Sequence, residues 1–434
     1  MNLPGSSFTA ARRKIYPRAV HGRYRSLRNG ISLTLQAILF GTPWLQWGGR
    51  QAVLADLAGR KLYLFSLVLH PQDTYFLHLL LILAAVTLFC VSALAGRMWC
   101  GYACPQTILS QAFIMVERWW EGDRAARIRL DKAGWTSAKL SRKLGKWVCW
   151  SVMGGYLGVT AAGYFFPIRQ LSATPSTVLT VLFFTIWSLF EFGYFREQFC
   201  AYVCPYARFQ GAMLDDESLV VAYDGNRGEP RGKLKNAARG ACIDCTACVQ
   251  ACPMGIDIRT GLQLECIACA ACIDACDEVM DRVGQPRGLI RYTTSTGEDP
   301  HPFRPRVAIY LGLITALGSL LVYLLVTRTP LVLDAVRVVA PGGQLATTTP
   351  DGHIGNVFKV HLINRLATPQ SVELQADGLK DAQLLGVTNP VQLEPGQVLE
   401  AQVMMLVPSG ESRGIHPFNF RVGNTRKEAT FVVP

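Results

Sequence analysis

Cys242-Ile-Asp-Cys245-Thr-Ala-Cys248-Val-Gln-Ala-Cys252-Pro253 is followed by Cys266-Ile-Ala-Cys269-Ala-Ala-Cys272-Ile-Asp-Ala-Cys276. Both runs leave two, two and three residues between successive cysteines. Three close thiolates on a tight loop wrap one corner of an iron–sulfur cubane, and a distant fourth closes the cage. In two-cluster ferredoxins the fourth cysteine of each run serves the other cluster. The spacing therefore predicts two [4Fe–4S] clusters in a bacterial ferredoxin-like α+β module. Cluster 1 takes Cys242, Cys245, Cys248 and Cys276; cluster 2 takes Cys252, Cys266, Cys269 and Cys272. Zinc knuckles and disulfides are the rival readings. The matched spacing disfavours both, and a reducing cytosol disfavours disulfides further. The second run ends in Cys276-Asp277, without the proline of the first, which loosens that turn and removes no ligand.

Four more cysteines stand in a repeat outside the module. Trp99-Cys100-Gly-Tyr-Ala-Cys104-Pro105 matches Phe199-Cys200-Ala-Tyr-Val-Cys204-Pro205. Proline disfavours helix at the residue before it and favours the first position of a new helix. Cys104 and Cys204 are thus expected at helix N-termini, where the dipole lowers a thiol pKa. Thiolates are soft ligands for copper(I), zinc or iron–sulfur clusters. Cys100, Cys104, Cys200 and Cys204 are the candidate catalytic and metal-binding residues, set against the plainer reading of four small buried hydrophobes.

Outside these motifs the chain looks like a membrane protein. Only 17% of its 434 residues are charged, against about 25% for a soluble protein. Five apolar stretches are candidate spans: Ile31–Trp47, Tyr75–Ala95, Val148–Ile168, Thr177–Phe195 and Val307–Val326. The first is short and holds Pro43. Lys and Arg crowd residues 1–30, 117–147 and 196–306, with seven, nine and thirteen, while 49–74 has three and 169–176 one. That bias places the N-terminus and the cysteine module in the cytoplasm and the C-terminus outside. Residues 1–30 lack an apolar core with a small-residue cleavage site and read as a retained basic tail. The net charge of +12 belongs to a membrane surface; no nucleic-acid-binding signature is present.

Beyond the last span, strand-like runs lie at Val357–Ile363, Ser371–Ala376, Val398–Val407, Phe418–Val422 and Ala429–Val433. Turn residues separate them, among them Asn389-Pro390, Pro395-Gly396, Ser409-Gly410 and Gly423-Asn424. This pattern predicts an all-β immunoglobulin-like sandwich. It has no cysteine, so its stability must come from its core. His361, Met404 and Met405 read as ordinary strand residues, and Cys90 and Cys149 as packing residues. Glu191 lies in an apolar stretch and is a functional candidate on that ground, or an interfacial neighbour of Arg196.

The run from Cys252-Pro-Met-Gly-Ile-Asp-Ile-Arg259 through Cys272-Ile-Asp-Ala-Cys276 to Gly288-Leu-Ile-Arg-Tyr292 resembles the FixG/RdxA/CcoG family of cytochrome c oxidase accessory proteins. The paired Cys-x3-Cys-Pro motifs, five helices and all-β tail match as well. The resemblance implies a protein of the bacterial inner membrane, with the tail periplasmic. It also implies a role in assembling a cbb3-type oxidase, in which copper(II) is reduced to copper(I). The implied partners are oxidase subunits or copper chaperones; the electron donor is open. The expected organisation is a basic tail (1–30), a membrane domain with four helices (31–230), a two-cluster module (231–295), a fifth helix (305–327) and the sandwich (331–434). Two other functions fit the same motifs: a quinol-linked membrane ferredoxin feeding a periplasmic reductase, and a non-enzymatic redox-sensing assembly scaffold.

Overall fold

The computed structural model describes residues 14–234, 238–294, 297, 301, 303–339, 345–366, 368–408 and 412–434. The N-terminal 1–13 part of the basic tail and the Ser409-Gly410 turn lie outside the described residues. The chain divides into two compact units, Met1–Phe65 with Leu69–Leu321, and Ser66–Val68 with Val322–Pro434.

Among the described residues three helices are long and apolar enough to cross a membrane: Pro71–Ala95, Pro175–Phe195 and Pro305–Val326. The other two expected spans have shifted boundaries. The first helix is Arg23–Gly41. It begins inside the expected basic tail and ends before the expected Trp47, because Thr42–Trp44 form a 3-10 turn around Pro43. The third long helix is Ser137–Ala162, not Val148–Ile168. Thr136 caps it by accepting the Lys139 amide at 3.2 Å, and its first half carries Lys139, Arg142, Lys143 and Lys146. Charges there are compatible with a helix that emerges from lipid at that end.

Between the first two long helices lies β-structure that the sequence pattern did not suggest. Gln46–Trp47 pairs with Arg50–Gln51, and Val53–Asp56 with Lys61–Leu64. Gly48 and Gly49 have φ of 58° and 78°, as a two-residue hairpin loop requires. The Gln51 amide donates to Gly163 O at 2.6 Å, Ala55 N to Tyr164 O at 2.7 Å and Tyr164 Oη to Leu39 O at 2.8 Å. These bonds tie the end of the first helix to the end of the Ser137–Ala162 helix.

The cysteine module is part of this same unit. Its two-stranded sheet pairs Val220–Tyr223 with Ile290–Thr293, so the module begins before residue 231. Its helices are Ala247–Ala251 and Ala271–Arg282. The N-terminal segment packs on it: Arg18 N donates to Gln250 O at 2.8 Å, and Val20 is buried with Ala251 and Ala275. Asp274 caps the first helix across the chain, accepting the amides of Tyr24 and Arg25 at 3.2 and 2.7 Å.

The second unit is a β-sandwich. One sheet has the order Gln383–Leu385, Val398–Val407, Ile354–Asn364, Leu331–Val338, with Thr347–Thr348 also pairing to Ile354–Asn364; a second is Leu374–Asp377, Gly414–Val422, Thr425–Val433. Alternate residues point inward. Phe358, Phe418 and Phe420 meet at centroid distances of 4.9–5.5 Å and are buried with Phe431, Leu374 and Met405. Asn356 is fully buried and bridges the sheets: its Nδ2 donates to Val432 O at 2.9 Å, and its Oδ1 accepts Val432 N at 3.1 Å. His361 faces Glu400 at 3.5 Å.

Candidate iron–sulfur and thiolate centre

All fourteen cysteines are unpaired. Cys242, Cys245, Cys248 and Cys276 line one cavity. Cys252, Cys266, Cys269 and Cys272 line a second, together with Cys248. The backbone explains how. Asp244, Thr246, Ala268 and Ala270 all have φ between 50° and 58°. Asp244 and Ala268 occupy the same position in their runs, as do Thr246 and Ala270. Non-glycine residues adopt this left-handed conformation only where the surroundings impose it. Here it curls each loop so that its three close sulfurs face one centre. The fourth comes from the other run.

The electrostatics fit a cationic guest. Burial, with repulsion from Cys248, Cys245 and Cys242, pushes the Cys276 thiol up to about 12. Burial, with repulsion from Cys269 and Cys266, does the same to Cys252. Cys272 lies well above the ordinary thiol range for the same reasons. Such sulfurs become thiolates when a metal compensates their charge, so the donor set fits the cubanes that the spacing predicts. Ala268 N donates to Cys266 Sγ at 3.4 Å. Arg259 stands at the first cavity, held by Asp257 at 2.7 Å and Asp244 at 2.6 Å.

The four other cysteines converge where the helices meet the module. Cys104 and Cys204 are the residues just before Pro105–Glu121 and Pro205–Met213. Cys200 sits in a π-helical segment, Phe199–Val203, after a π-helical turn at Leu189–Phe195. Burial and repulsion from Cys104, Cys100 and Cys204 push the Cys200 thiol up to about 12. Burial, with Cys104 and Cys204 adding to it, raises Cys100 to about 11. The expectation that a helix N-terminus lowers Cys104 is overturned. Burial wins and its thiol is raised, although the Gln106 and Thr107 amides pull the other way. Among the described residues no three His, Cys, Asp or Glu side chains form a ready single-ion shell.

The two centres touch backbone to backbone. A Cβ on Gly101, between Cys100 and Cys104, would lie 2.6 Å from Ile267 O and 2.9 Å from Cys269 Cα. Tyr292 donates to Ala268 O at 2.6 Å and meets Tyr102 Oη at 3.2 Å. Gln210, fully buried, accepts Arg97 Nε at 2.9 Å and Cys100 Sγ at 3.5 Å, and donates to Gly96 O at 2.9 Å. Arg97 also donates to Leu264 O. Sequence reasoning missed Gly101, Gln210 and Arg97; only the glycine inside a cysteine motif was a signal.

Residues 195–295 match the family model of a 4Fe–4S dicluster domain. Residues 321–434 match that of the immunoglobulin-like fold at the C-terminus of FixG. A third model, a 4Fe–4S binding domain, matches residues 77–121 and 174–215, which contain the two Cys-x3-Cys-Pro motifs. The chain is 41% identical to protein RdxB of Cereibacter sphaeroides over 87% of its own length and 85% of that protein's. It is 40% identical to RdxA of the same organism over 85% and 83%. The nitrogen fixation protein FixG of Rhizobium meliloti is 37% identical over 92% and 87%. The chain belongs to the FixG/RdxA/RdxB family. A crystal structure of a FixG-related protein from Vibrio parahaemolyticus covers 24% of this chain at 20% identity with a TM-score of 0.21. This family member is a membrane-associated iron–sulfur redox protein.

The remaining candidates are dispersed. Glu191 is buried in the π-helical turn, 3% exposed, and its Oε1 has no hydrogen-bond partner among the described residues. Cys90 is packed in the second long helix, and Cys149 accepts from Trp120 Nε1 at 3.2 Å.

Proposed function

We propose that this chain carries single electrons from two [4Fe–4S] clusters, held by the eight module cysteines, to copper(II) bound by Cys100, Cys104, Cys200 and Cys204 at the cytoplasmic membrane edge. The observation that carries the reading is the contact of Gly101 with Ile267–Cys269, which joins the two sulfur centres without an intervening side chain. When bound, bacterial-type clusters supply electrons at low potential. The chain's own residues do the rest. The left-handed loops aim the sulfurs, Gln210 and Arg97 fix the Cys100 loop, and buried thiols favour a soft copper(I) product. Copper is the substrate, and its supply as copper(I) serves assembly of a cbb3-type oxidase. Oxidase subunits or copper chaperones receive it.

This placement takes five crossings, two more than the three helices long and apolar enough to span among the described residues. Arg18 and the start of the first helix bond to the module, and the second long helix ends beside it at Gly96, so on this reading the first helix crosses to reach that helix's far end. Cys100 and Cys200 share one side, so an even number of crossings separates them; Ser137–Ala162 supplies the second. The Lys/Arg bias puts the module in the cytoplasm of a bacterial inner membrane and the sandwich in the periplasm.

A second reading is favoured by the 4Fe–4S binding model that covers both Cys-x3-Cys-Pro motifs: these sulfurs hold a third cluster. One experiment separates them. Anaerobically purified protein with Cys100→Ala and Cys104→Ala should lose copper(II) reduction while keeping all its iron. Iron lost by about a third supports the third cluster, and unchanged copper reduction removes these sulfurs from the chemistry.

A further inference from the structure

We propose that the cavity between the Arg23–Gly41 helix, the Pro105–Glu121 helix and the cysteine module is a binding site for a phosphate-bearing anion. The cavity is lined by Arg18, Arg25, Arg28, Arg118 and Arg196, by one acidic residue, Glu197, and by Cys200 of the thiolate centre.

The cations outnumber their partners. Arg18 faces Glu278 at 3.6 Å, and Arg196 bonds Glu117 at 2.8 Å. Arg118 Nη2 donates to the Pro17 and Arg18 carbonyls at 3.1 and 3.3 Å, but those oxygens carry no net charge. Its Nε is buried with no partner among the described residues. Arg25 and Arg28 have neither a side-chain hydrogen bond nor an ion pair among the described residues. Asp274, which acts on Arg25 electrostatically, already accepts two backbone amides. Arg28 is only 7% exposed. A buried guanidinium without a counter-charge is costly. Arg28 is such a group, Arg25 and Arg118 are half-buried, and the three guanidiniums repel one another, which makes a site that a multiply charged anion relieves.

The geometry selects the class of anion. Guanidinium forks match phosphate oxygens in pairs, and a tetrahedral phosphate can meet several forks at once. Thr107, Ser110 and Gln111 add neutral donors on the helix wall. Ile114, Met254 and Ile267 close the remainder with apolar surface. A phospholipid headgroup or free phosphate supplies this chemistry. The charge of Cys269 also acts on Arg25, but the charges acting most strongly on Arg118 are Arg127, Asp123, Glu117 and Arg28. Offsetting the cluster sulfurs therefore does not account for the whole set.

The test uses the full-length chain, delipidated in detergent under anaerobic conditions, and the double variant Arg25→Gln/Arg28→Gln. Equilibrium dialysis measures inorganic phosphate, and native mass spectrometry measures retention of phosphatidylglycerol against phosphatidylcholine. Saturable phosphate binding identifies a free anion. Selective phosphatidylglycerol retention without phosphate binding identifies a headgroup. In either case the double variant should bind about tenfold or more weakly, with unchanged iron content. The ligand-free variant should be at least as heat-stable as the parent, because it removes unpaired buried charge, and only the parent should gain stability from ligand. Equal binding by both proteins, no binding of either ligand by the parent, or a ligand-free variant that unfolds would each overturn the proposal.

Discussion

The cysteine module and the C-terminal sandwich occupy one chain and are held together differently. The sandwich fills its centre with Phe358, Phe418, Phe420 and Phe431, each 1% exposed or less. The module's buried set combines aliphatic side chains, Val221, Ile258, Ile273, Met280, Leu289 and Ile290, with small ones, Ala247, Ala251, Ala268, Ala270 and Ala275, and with Cys242, Cys248, Cys269 and Cys276. Apolar burial is worth roughly 25 cal/mol per Å², and the module's alanines add little to what its aliphatic residues bury. The module also carries four non-glycine residues in left-handed backbone, which costs on the order of 1–3 kcal/mol each where such strain is stored. The comparison teaches that the sandwich is stabilised by its side chains alone, whereas the module adds to an aliphatic core the binding energy of whatever its sulfurs hold.

The largest expected effect follows directly. Stripping iron with a chelator and oxidant should make residues 238–294 sensitive to limited proteolysis and leave the sandwich intact. A sandwich that opens together with the module would break the comparison. Next, Phe358→Ala should cost about 3–5 kcal/mol in the unfolding of the sandwich, the usual range for a buried phenylalanine. Iron content and its electron paramagnetic resonance signal should not change.

Acid sharpens the contrast. Glu117 is 1% exposed and meets Arg196 at 2.8 Å and Arg127 at 3.3 Å. Burial alone would raise its pKa, but Arg196, Lys146 and Arg127 outweigh it and hold the carboxyl down at about 2, against an ordinary value of 4.5. A depressed folded value means stability that is complete above the unfolded pKa and lost as pH falls from about 4.5 toward 2. The first unit should therefore lose stability over that window, and Glu117→Gln should remove this part of the pH dependence. In the sandwich, pairs such as Lys359–Glu400 are exposed and worth little. Calorimetry at stepped pH reads both units.

The smallest effect probes the joint between the sulfur centres. Gly101→Ala places a methyl against the Ile267–Cys269 backbone, an overpacking that costs about 1–3 kcal/mol. Iron content should be retained while copper(II) reduction slows. An unchanged rate would remove this contact from the electron path.

What the sequence revealed depended on how local the cause was. The ligand spacing was legible because each loop brings its own three sulfurs together. Val398–Val407 was placed correctly because alternation and the flanking Pro395-Gly396 turn are local signals. The immunoglobulin-like tail followed from that pattern. The start of the first helix was not legible, because its cap is Asp274, far away in the chain. The hairpins between residues 46 and 64 have strands too short to show a period. The thiol shift at Cys104 is not legible in the sequence, because burial, a tertiary property, outweighs the helix end. Val220–Tyr223 was assigned upstream of the module because its partner, Ile290–Thr293, lies beyond both cysteine runs.

Metal and sulfide analysis of the anaerobically purified protein, combined with electron paramagnetic resonance of the reduced form, tests the redox account most directly. Two interacting [4Fe–4S] signals, with Cys252→Ser and Cys276→Ser each perturbing a different one, are the predicted result. Zinc in place of iron, or oxidised cysteine pairs without inorganic sulfide, would contradict it.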